Sequence, residues 1–480
     1  MLEQQLYLAI DQGGSRSRAL VFTHSGVQVC AGLVEVSTMR SGDRVEQQAL
    51  AVKQSIEQCI TDCLAQLSAK QQSQIVSAGL VTQRSSFVAV NRNTGEPISP
   101  IFSWQDTRAA KQLSALKLDQ SWLQKITGLP ASAHFGASKM AWCLQHLVAV
   151  QQAQVEQQLL FLPLAAYLAY ALTDATDYWV DPANASRTLL MDINQLTWHP
   201  QLLTRFGIEA QWLPKICATQ ADYGALELAP ATSSLRIPLR YVNGDQSSAL
   251  FAYGTPKPEQ IAVNLGTGAF VSQIQHLSNT QQQPKHGLLM SVVYASHQRC
   301  LRVIEGTVNG AGAALSVMSR QLSVEMHELQ QVHNDDYIPI FINTIGGLAA
   351  PFWRTDLASY FIDEQQASAP AKLLAVLESI VFLVANIISL LPDKRFSELS
   401  VSGGLANNAQ LCQRLADVCQ IAVRRVEQVE ASALGAVWWL AGQPNHWLQT
   451  LTQQVYQPTY NPKLSQRYQR WQQEMQHLLE

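Results

Sequence analysis

Apolar positions in the first half of the chain switch repeatedly between the period of a strand and that of a helix. Residues 76–81 and 87–91 are short apolar runs and are predicted strands, with a turn at 93–95. Residues 50–68 and 138–158 repeat apolar side chains at helical spacing and are predicted helices. Alternation of this kind indicates layered α/β structure.

The second half follows the same style. Its predicted elements are strands near 260–274 and 287–294, a helix from about residue 309, and a strand at 399–401. Residues 226–239 lack strong periodicity and contain Pro230 and Pro238, so we place a junction there, just before Gly244. A chain of 480 residues exceeds one ordinary core, and we expect two domains, 1–240 and 241–480.

Two short segments, about half a chain apart, match each other. Residues 8–20 carry Asp11 before a turn of glycine and serine, and residues 261–270 carry Asn264 before a turn of glycine and threonine. Such turns present backbone N–H groups that bind phosphate oxygens. The pair predicts a duplicated scaffold that holds a polyphosphate between two domains, the alternative being two unrelated hairpins. No P-loop sequence occurs, and no G-x-G-x-x-G opens a helix after a strand.

Composition narrows the range of partners. The net charge is −3 and 47% of the residues are hydrophobic, so no basic field predicts binding to nucleic acid or to an anionic membrane. The eight cysteines show no metal-ligand spacing, which is typical of reduced thiols in the cytoplasm and of a protein without a zinc site. Residues 1–5 lack the basic and apolar regions of a signal peptide.

Residues 373–391 are apolar over a length that is borderline for crossing a membrane. The segment contains Glu378, Ser379, Asn386 and Ser389. We therefore predict a buried helix that ends at Pro392, and no membrane span.

Polar residues that could carry chemistry follow several predicted strands. Asp245 follows the strand-like run 239–242 and is either a helix N-cap or the group that accepts a hydroxyl proton in phosphoryl transfer. Arg84 and Trp104 also follow strands, where open α/β sheets bind ligands. Arg84 would bind a polyol or pair with a surface carboxylate, and Trp104 would stack on a sugar or fill the core.

The order of the short sequences in the chain resembles that of the FGGY carbohydrate kinases, with glycerol kinases as the most similar group. The resemblance extends from the N-terminus to about Gly442, and it is carried by Asp11-Gln12-Gly13, Gln83-Arg84, Trp104-Gln105-Asp106-x-Arg108, Lys139-Met140-x-Trp142, Asn184-Ala185-Ser186-Arg187-Thr188, Gly244-Asp245-Gln246, Gly266-Thr267-Gly268, Gly403-Gly404 and Ala433-Leu434-Gly435-Ala436.

The resemblance implies two RNase H-like α/β domains of the actin, hexokinase and heat-shock-chaperone ATPase type, with an ATP and substrate cleft between them. It implies Asp245 as catalytic base and Mg²⁺ near Asp11 and Asp245, bridging the β- and γ-phosphates. The implied substrate-binding residues are Arg84, Ser85, Trp104, His134, Gln246 and Phe270. The implied ATP-binding residues are Gly13, Gly14, Ser15, Arg16, Gly266, Thr267, Gly312, Gly404 and Asn408.

Two substrate positions depart from the glycerol kinase pattern. Ser85 stands where that group has a glutamate, and His134 stands where it has a tyrosine. These changes bear on the choice of substrate more than on the reaction. We expect a cytoplasmic kinase that phosphorylates a small polyol or sugar, with a second copy of the chain as a candidate partner. The alternative is a catalytically weak or inactive relative that senses ATP or sugar.

Overall fold

The structure is a computed structural model that describes residues 4–227, 235–275, 287–332, 336–354, 356–392, 395–426, 430–445, 447 and 453–479. Residues 228–234 of the predicted junction, Pro230 among them, lie outside the described residues.

In chain order the strands are β1 (Leu6–Gln12), β2 (Arg16–Thr23), β3 (Gln28–Glu35), β4 (Met39–Ser41), β5 (Arg44–Gln47), β6 (Ile75–Thr82), β7 (Phe87–Asn91), β8 (Ile101–Phe102), β9 (Leu159–Pro163), β10 (Trp179–Val180), β11 (Met191–Asp192), β12 (Thr197–Trp198), β13 (Lys215–Ile216), β14 (Leu239–Gly244), β15 (Gln260–Leu265), β16 (Ala269–Ile274), β17 (Leu289–Ala295), β18 (Cys300–Val308), β19 (Ile340–Ile342), β20 (Tyr360–Ile362), β21 (Glu398–Ser402), β22 (Val423–Val426) and β23 (Gln453–Tyr456).

The helices are α1 (Ala49–Leu64), α2 (Ala69–Gln72), α3 (Ala110–Ala115), α4 (Gln120–Thr127), α5 (Gly136–His146), α6 (Val148–Val155), α7 (Leu164–Ala171), α8 (Pro182–Ser186), α9 (Pro200–Phe206), α10 (Asp245–Ala249), α11 (Gly312–Leu322), α12 (Ala369–Leu390), α13 (Ala409–Cys419), α14 (Ala431–Leu440) and α15 (Pro462–Leu479).

Two sheets share one topology. The first has the strand order β14-β6-β1-β2-β3, and the second contains β22-β21-β15-β16-β18, with β17 and β23 at its edges. In each sheet an antiparallel hairpin (β1–β2 or β15–β16) is followed by a third antiparallel strand on one side. Two parallel strands lie on the other side. The duplicated hairpins predicted from sequence therefore occupy equivalent places in two α/β domains.

Both faces of the first sheet are apolar, because side chains along β1 and β2 alternate between two cores. Leu8 and Ile10 pack in the core that includes α1. Tyr7 and Ala9 pack in a separate core with Leu434 and neighbouring residues of α14. Thus a helix from near the end of the chain covers one face of a sheet formed mainly near its beginning.

The second sheet has one apolar and one polar face. Ile261, Val263 and Val271 are buried in the same core as α12. Asn264 on β15 and its partner Ser402 on β21 are only half-buried on the opposite side. This leaves a polar sheet face available for a cleft.

Helix α12 confirms the prediction of a buried apolar helix. Ser368 caps its first turn by accepting a hydrogen bond from Ala371 N, and it ends at Leu390, two residues before Pro392. The helix is long and apolar enough to cross a membrane, but 83% of its most apolar stretch is buried inside the fold.

Two predicted helices have different bounds in the structure. The helix predicted at 138–158 is interrupted at Leu147, whose backbone is extended with φ −108° and ψ 111°. The helix predicted from residue 309 begins at Gly312. Strand β14 pairs with β6 of the first sheet, so a division at 240/241 would cut a strand. We propose that the domain boundary falls after α10, between Ala249 and Gln260.

Candidate active site

Asp245 lies where the parallel strand β14 ends and α10 begins. Gly244, not Asp245, is the N-cap residue of that helix, and Gln246 N donates to Asp245 Oδ1 at 2.7 Å. The carboxylate side chain is 24% exposed, so a ligand can reach it. Burial raises the pKa of Asp245, and the nearby guanidinium of Arg84 opposes that rise. A reachable carboxylate with a raised pKa can accept a proton near neutral pH.

Arg84 enters the site from the end of β6. Its Nε lies 4.0 Å from Asp245 Oδ1, and its Nη1 donates to Ser247 Oγ at 3.5 Å. Gly244 makes this approach possible, because a Cβ there would lie 2.4 Å from Arg84 Cγ. Of the two alternatives for Arg84, a surface ion pair does not fit, since its side chain is only 6% exposed and faces Asp245 and the buried Glu305.

Ser85 follows Arg84 in a strained conformation. Its φ is +65°, in the left-handed region that serine rarely adopts. The residue is buried, and among the described residues its Oγ has no hydrogen-bond partner. A buried hydroxyl without a partner is costly unless something binds it.

Trp104 and His134 lie against each other, with ring centroids 5.3 Å apart at 50°. Lys139 ties together the loops that carry them, because its buried Nζ donates to Ser103 O at 2.9 Å and to His134 O at 3.1 Å. The backbone N of Trp104 donates to Ser86 Oγ at 3.1 Å, which joins the same loop to the one that carries Ser85. These contacts bring four of the predicted substrate residues into one neighbourhood.

His134 is held neutral. Burial lowers its pKa well below the ordinary 6.5, and the positive charges of Arg187, Lys139 and Arg84 lower it further. A neutral imidazole can both donate and accept a hydrogen bond, as recognition of a hydroxyl requires.

The low pKa of His134 predicts a pH-dependent contribution to stability. The unfolded chain takes up a proton at this residue as the pH falls below 6.5, whereas the native state does not. The contribution is therefore complete above pH 6.5 and is lost on acidification. We expect the free energy of unfolding of His134→Gln to fall less steeply than that of the wild type between about pH 7.5 and 5.5, measured by urea denaturation.

Comparing the two slopes removes the other titrating groups from that measurement. Burial raises the pKa of Asp181 to about 6, and this group acts in the opposite direction in both proteins. Equal slopes for the two proteins would contradict the assignment of a neutral His134.

Gln246 and Phe270 line one cavity of about 180 Å³, formed by residues of the segment 246–256 and of the second sheet. Its walls include Asn264 and Ser402 on the polar face of the second sheet. The residue after Asp245 thus shares this cavity with Phe270 of the second hairpin. The residues that line it do not include Asp245, Arg84, Trp104 or His134.

The first candidate phosphate-binding turn joins β1 to β2. Gly13 N donates to Arg16 O at 2.8 Å, while Gly14, Ser15 and Arg16 are exposed. Thr38 Oγ1 and Gln47 Nε2 donate to Gly14 O at 3.0 and 2.9 Å. These bonds fix an exposed glycine-rich turn at the end of the strand that carries Asp11.

The second turn is joined to the start of α11. Gly312 N donates to Gly266 O at 3.0 Å and Ala313 N donates to Thr267 O at 3.0 Å, which leaves Thr267 exposed. A Cβ on Gly312 would lie 2.8 Å from Gly266 O, so only glycine permits this contact.

The other candidate ATP-binding residues lie on the same side of the second sheet. Gly403 has a φ of +91°, and a Cβ there would lie 2.5 Å from Leu265 O, so the segment that leads to the exposed Gly404 packs on the second turn. Asn408 caps α13 by accepting from Leu411 N at 3.0 Å.

Asp11 is buried at the end of β1, with Arg18 Nη1 4.0 Å from its Oδ2. Burial raises its pKa to about 7, Arg18 opposes this, and the charges of Asp245 and Glu430 add to it. Asp11 and Asp245 therefore lie close enough to repel each other, and a cation between them would relieve that repulsion.

The sequence analysis assigned no site role to three buried charged residues of this region, Lys139, Arg187 and Glu305. Glu305 is paired with Arg187 and Arg84, and Lys139 holds the two aromatic loops. Glu305 and Lys139 each interrupt an apolar run in the sequence, a signal that predicts a buried charge without identifying its partner.

Sequence models of the FGGY family of carbohydrate kinases match both halves of the chain, the N-terminal domain at residues 6–252 and the C-terminal domain at residues 261–441. The chain is 28% identical to a glycerol kinase of Lactococcus lactis over 461 residues, which cover 92% of this chain and 90% of that protein. It is 29% identical to a glycerol kinase of Streptococcus sanguinis over 497 residues, with 98% and 97% covered.

Solved structures share the fold. A glycerol kinase of Plasmodium falciparum with ADP superposes with a TM-score of 0.87 at 20% identity, covering 99% of this chain and 98% of that one. A xylulose kinase of Rhodospirillum rubrum superposes with a TM-score of 0.83 at 16% identity, with the same coverage.

Proposed function

Because the chain belongs to the FGGY family of carbohydrate kinases, and is thus an ATP-dependent phosphotransferase that acts on a hydroxyl group, we propose that Asp245 is the general base and that the acceptor is a small polyol or sugar. The observation that carries the proposal is the place of Asp245. It combines a reachable carboxylate, a raised pKa and a buried arginine 4.0 Å away, and Asp245 is next in sequence to Gln246, which lines the cavity.

Asp245 would take the proton of the acceptor hydroxyl as that oxygen attacks the γ-phosphate. Arg84 would donate to neighbouring hydroxyls and hold the attacking one toward the carboxylate. Trp104 would cover the carbon chain, as indoles do with apolar faces of polyols. Gln246 and Phe270 would close the side of the pocket toward the second domain.

The two glycine-rich turns would hold ATP between the domains. Gly13 to Arg16 would contact its phosphates from the first domain, and Gly266 and Thr267 from the second. Gly312 lies against the second turn, and Gly404 and Asn408 follow β21, which pairs with the strand before that turn; the adenine and ribose would lie beside these residues. Closure of the domains on both ligands would exclude water and favour transfer to the polyol over hydrolysis.

The same site has the chemistry to hold Mg²⁺. Within the part of the chain that the structure describes, no three His, Cys, Asp or Glu side chains gather as a metal site. Mg²⁺ commonly binds one or two carboxylates together with substrate phosphates and water, and Asp11 and Asp245 fit that requirement. The ion would neutralise charge on the transferred phosphate.

The substrate pocket suggests a polyol or ketose larger than glycerol. Ser85 is a short side chain with an unpartnered hydroxyl, and neutral His134 adds a donor and acceptor. The resemblance implies that glycerol kinases have a carboxylate and a phenol at these two positions. A site built on such hydrogen bonds loses much of its kcat/KM for the substrate when one partner is missing. We place this activity in the cytoplasm, where ATP and reduced thiols occur together.

We expect glycerol to give a lower kcat/KM than at least one polyol or ketose of four to six carbons. The measurement is ADP release, with Mg-ATP and a panel that contains glycerol, tetritols, pentitols, hexitols and pentuloses. A marked preference for glycerol would show that other side chains replace the missing carboxylate. ADP release that no compound stimulates would contradict the kinase proposal itself and support the sensor alternative.

A further inference from the structure

A buried carboxylate of the second domain sits behind the candidate substrate arginine. Glu305 lies on β18 and its side chain is 2% exposed. Its Oε1 accepts from Arg187 Nη1 at 2.6 Å and from Ser291 Oγ at 2.6 Å, and its Oε2 lies 3.6 Å from Arg84 Nη2. Burial raises the pKa of Glu305, but Arg84 and Arg187 outweigh it and hold the pKa below its usual value.

The geometry fixes the guanidinium of Arg84 on three sides. Its Nη2 faces Glu305, its Nη1 reaches Ser247 Oγ at 3.5 Å, and its Nε faces Asp245 at 4.0 Å. A guanidinium has five N–H donors, and of these three contacts only the one with Ser247 is a hydrogen bond, so donors remain for a ligand. Their direction depends on the plane of the group, which Glu305 helps to set.

Glu305 is itself held on both sides. Arg187 Nη1 also donates to Ser291 Oγ at 2.9 Å, so arginine, serine and glutamate form a closed triangle. Arg187 follows α8 of the first domain, whereas Ser291 and Glu305 lie on paired strands of the second sheet. The orientation of a first-domain arginine is therefore set from the second domain.

Resting on the proposed function, we propose that Glu305 is a positioning residue for the phosphoryl acceptor. It holds Arg84 in the plane that presents its free donors to the hydroxyls of the polyol or sugar, and Arg187 and Ser291 hold Glu305. The partners of Glu305 are Arg187, Ser291 and Arg84, none of which is assigned to ATP, so we expect its loss to act on the acceptor side of the reaction.

The test uses Glu305→Gln in the full chain, with a panel compound that the wild type phosphorylates. We expect KM for that compound to rise by about ten- to a hundredfold, the usual worth of hydrogen bonds to a charged group. KM for ATP should stay within about twofold. Equilibrium binding of the same compound, measured by calorimetry, should weaken by the same factor as KM.

The chain offers a matched control in Glu378. It is equally buried, with 1% of its side chain exposed, and pairs with Arg414 at 3.2 Å and Arg467 at 2.6 Å outside the cleft. Glu378→Gln should lower thermal stability without changing KM for the acceptor. Glu305→Gln behaving like this control would show a purely structural ion pair and overturn the proposal.

A milder variant decides the case if Glu305→Gln does not fold. Ser291→Ala removes one donor to Glu305 and keeps both arginines, and we expect it to raise KM for the acceptor at least threefold. An unchanged KM in that variant would overturn the proposal. A wild type that phosphorylates no compound contradicts the proposed function, whereas an active wild type with unaffected variants contradicts only the role of Glu305.

Discussion

Replacing Asp245 with asparagine should lower kcat by about 10²- to 10⁴-fold, the contribution that general-base catalysis usually makes. The amide keeps the shape of the side chain but cannot accept the acceptor's proton near neutral pH. The amide oxygen of the variant could still accept the hydrogen bond from Gln246 N, so α10 should keep its place. The measurement is steady-state ADP release with saturating Mg-ATP and acceptor, together with calorimetric affinities for ADP and for the acceptor.

Asp417→Asn is the control for losing a buried carboxylate. Asp417 is buried in α13 and accepts from Gln413 Nε2 at 2.8 Å and from Thr459 N at 2.8 Å, within the second domain. It should reduce stability and leave kcat close to that of the wild type. If Asp245→Asn turned over within threefold of the wild type, Asp245 would not be the base.

Replacing Gly435 with alanine should destabilise the protein by about 1–3 kcal/mol, the usual cost of overpacking. Gly435 lies on α14, and a Cβ there would meet Ser248 O at 1.8 Å. In most helix interiors, replacing glycine with alanine stabilises the protein by about 1 kcal/mol. Here we expect the opposite, a loss of stability. Since Ser248 belongs to α10, the clash should also displace Asp245.

A displacement of about 1 Å at a catalytic group can cost about a hundredfold in rate, so kcat/KM should fall along with stability. Thermal unfolding and ADP release measure the two effects. Ser432→Ala, on the same helix, is the matched control because it introduces alanine without adding a Cβ. A Gly435→Ala protein as stable and active as that control would mean that α14 does not press on α10.

Features that depend on local pattern could be predicted from the sequence. The two hairpins, the buried α12 and the family resemblance follow from short runs of residues, and the sheets, burial and comparisons confirm them. The break at Leu147 was missed because apolar spacing continues across it, whereas the backbone there is extended. The roles of the site residues remain predictions.

Long-range partners could not be inferred from the sequence. Arg84 lies in the first domain and Glu305 in the second, far apart in the sequence. The residues around each of them contain no signal that predicts the other as its partner. The position of β14 shows the same limit. The prolines before it indicate a junction, but only its pairing with β6 assigns it to the first sheet.

Helix α14 packs on the first sheet although it comes from the C-terminal part of the chain. It covers Tyr7, Ala9, Leu20 and Phe22, yet about 180 residues separate it from the end of α10. At a synthesis rate of about 5–20 residues per second, a ribosome needs about 10–40 seconds to make that stretch. During translation one apolar face of the first sheet therefore stays without α14 for that time. Cutting the chain between the two family regions would remove α14 from the fragment that contains this sheet.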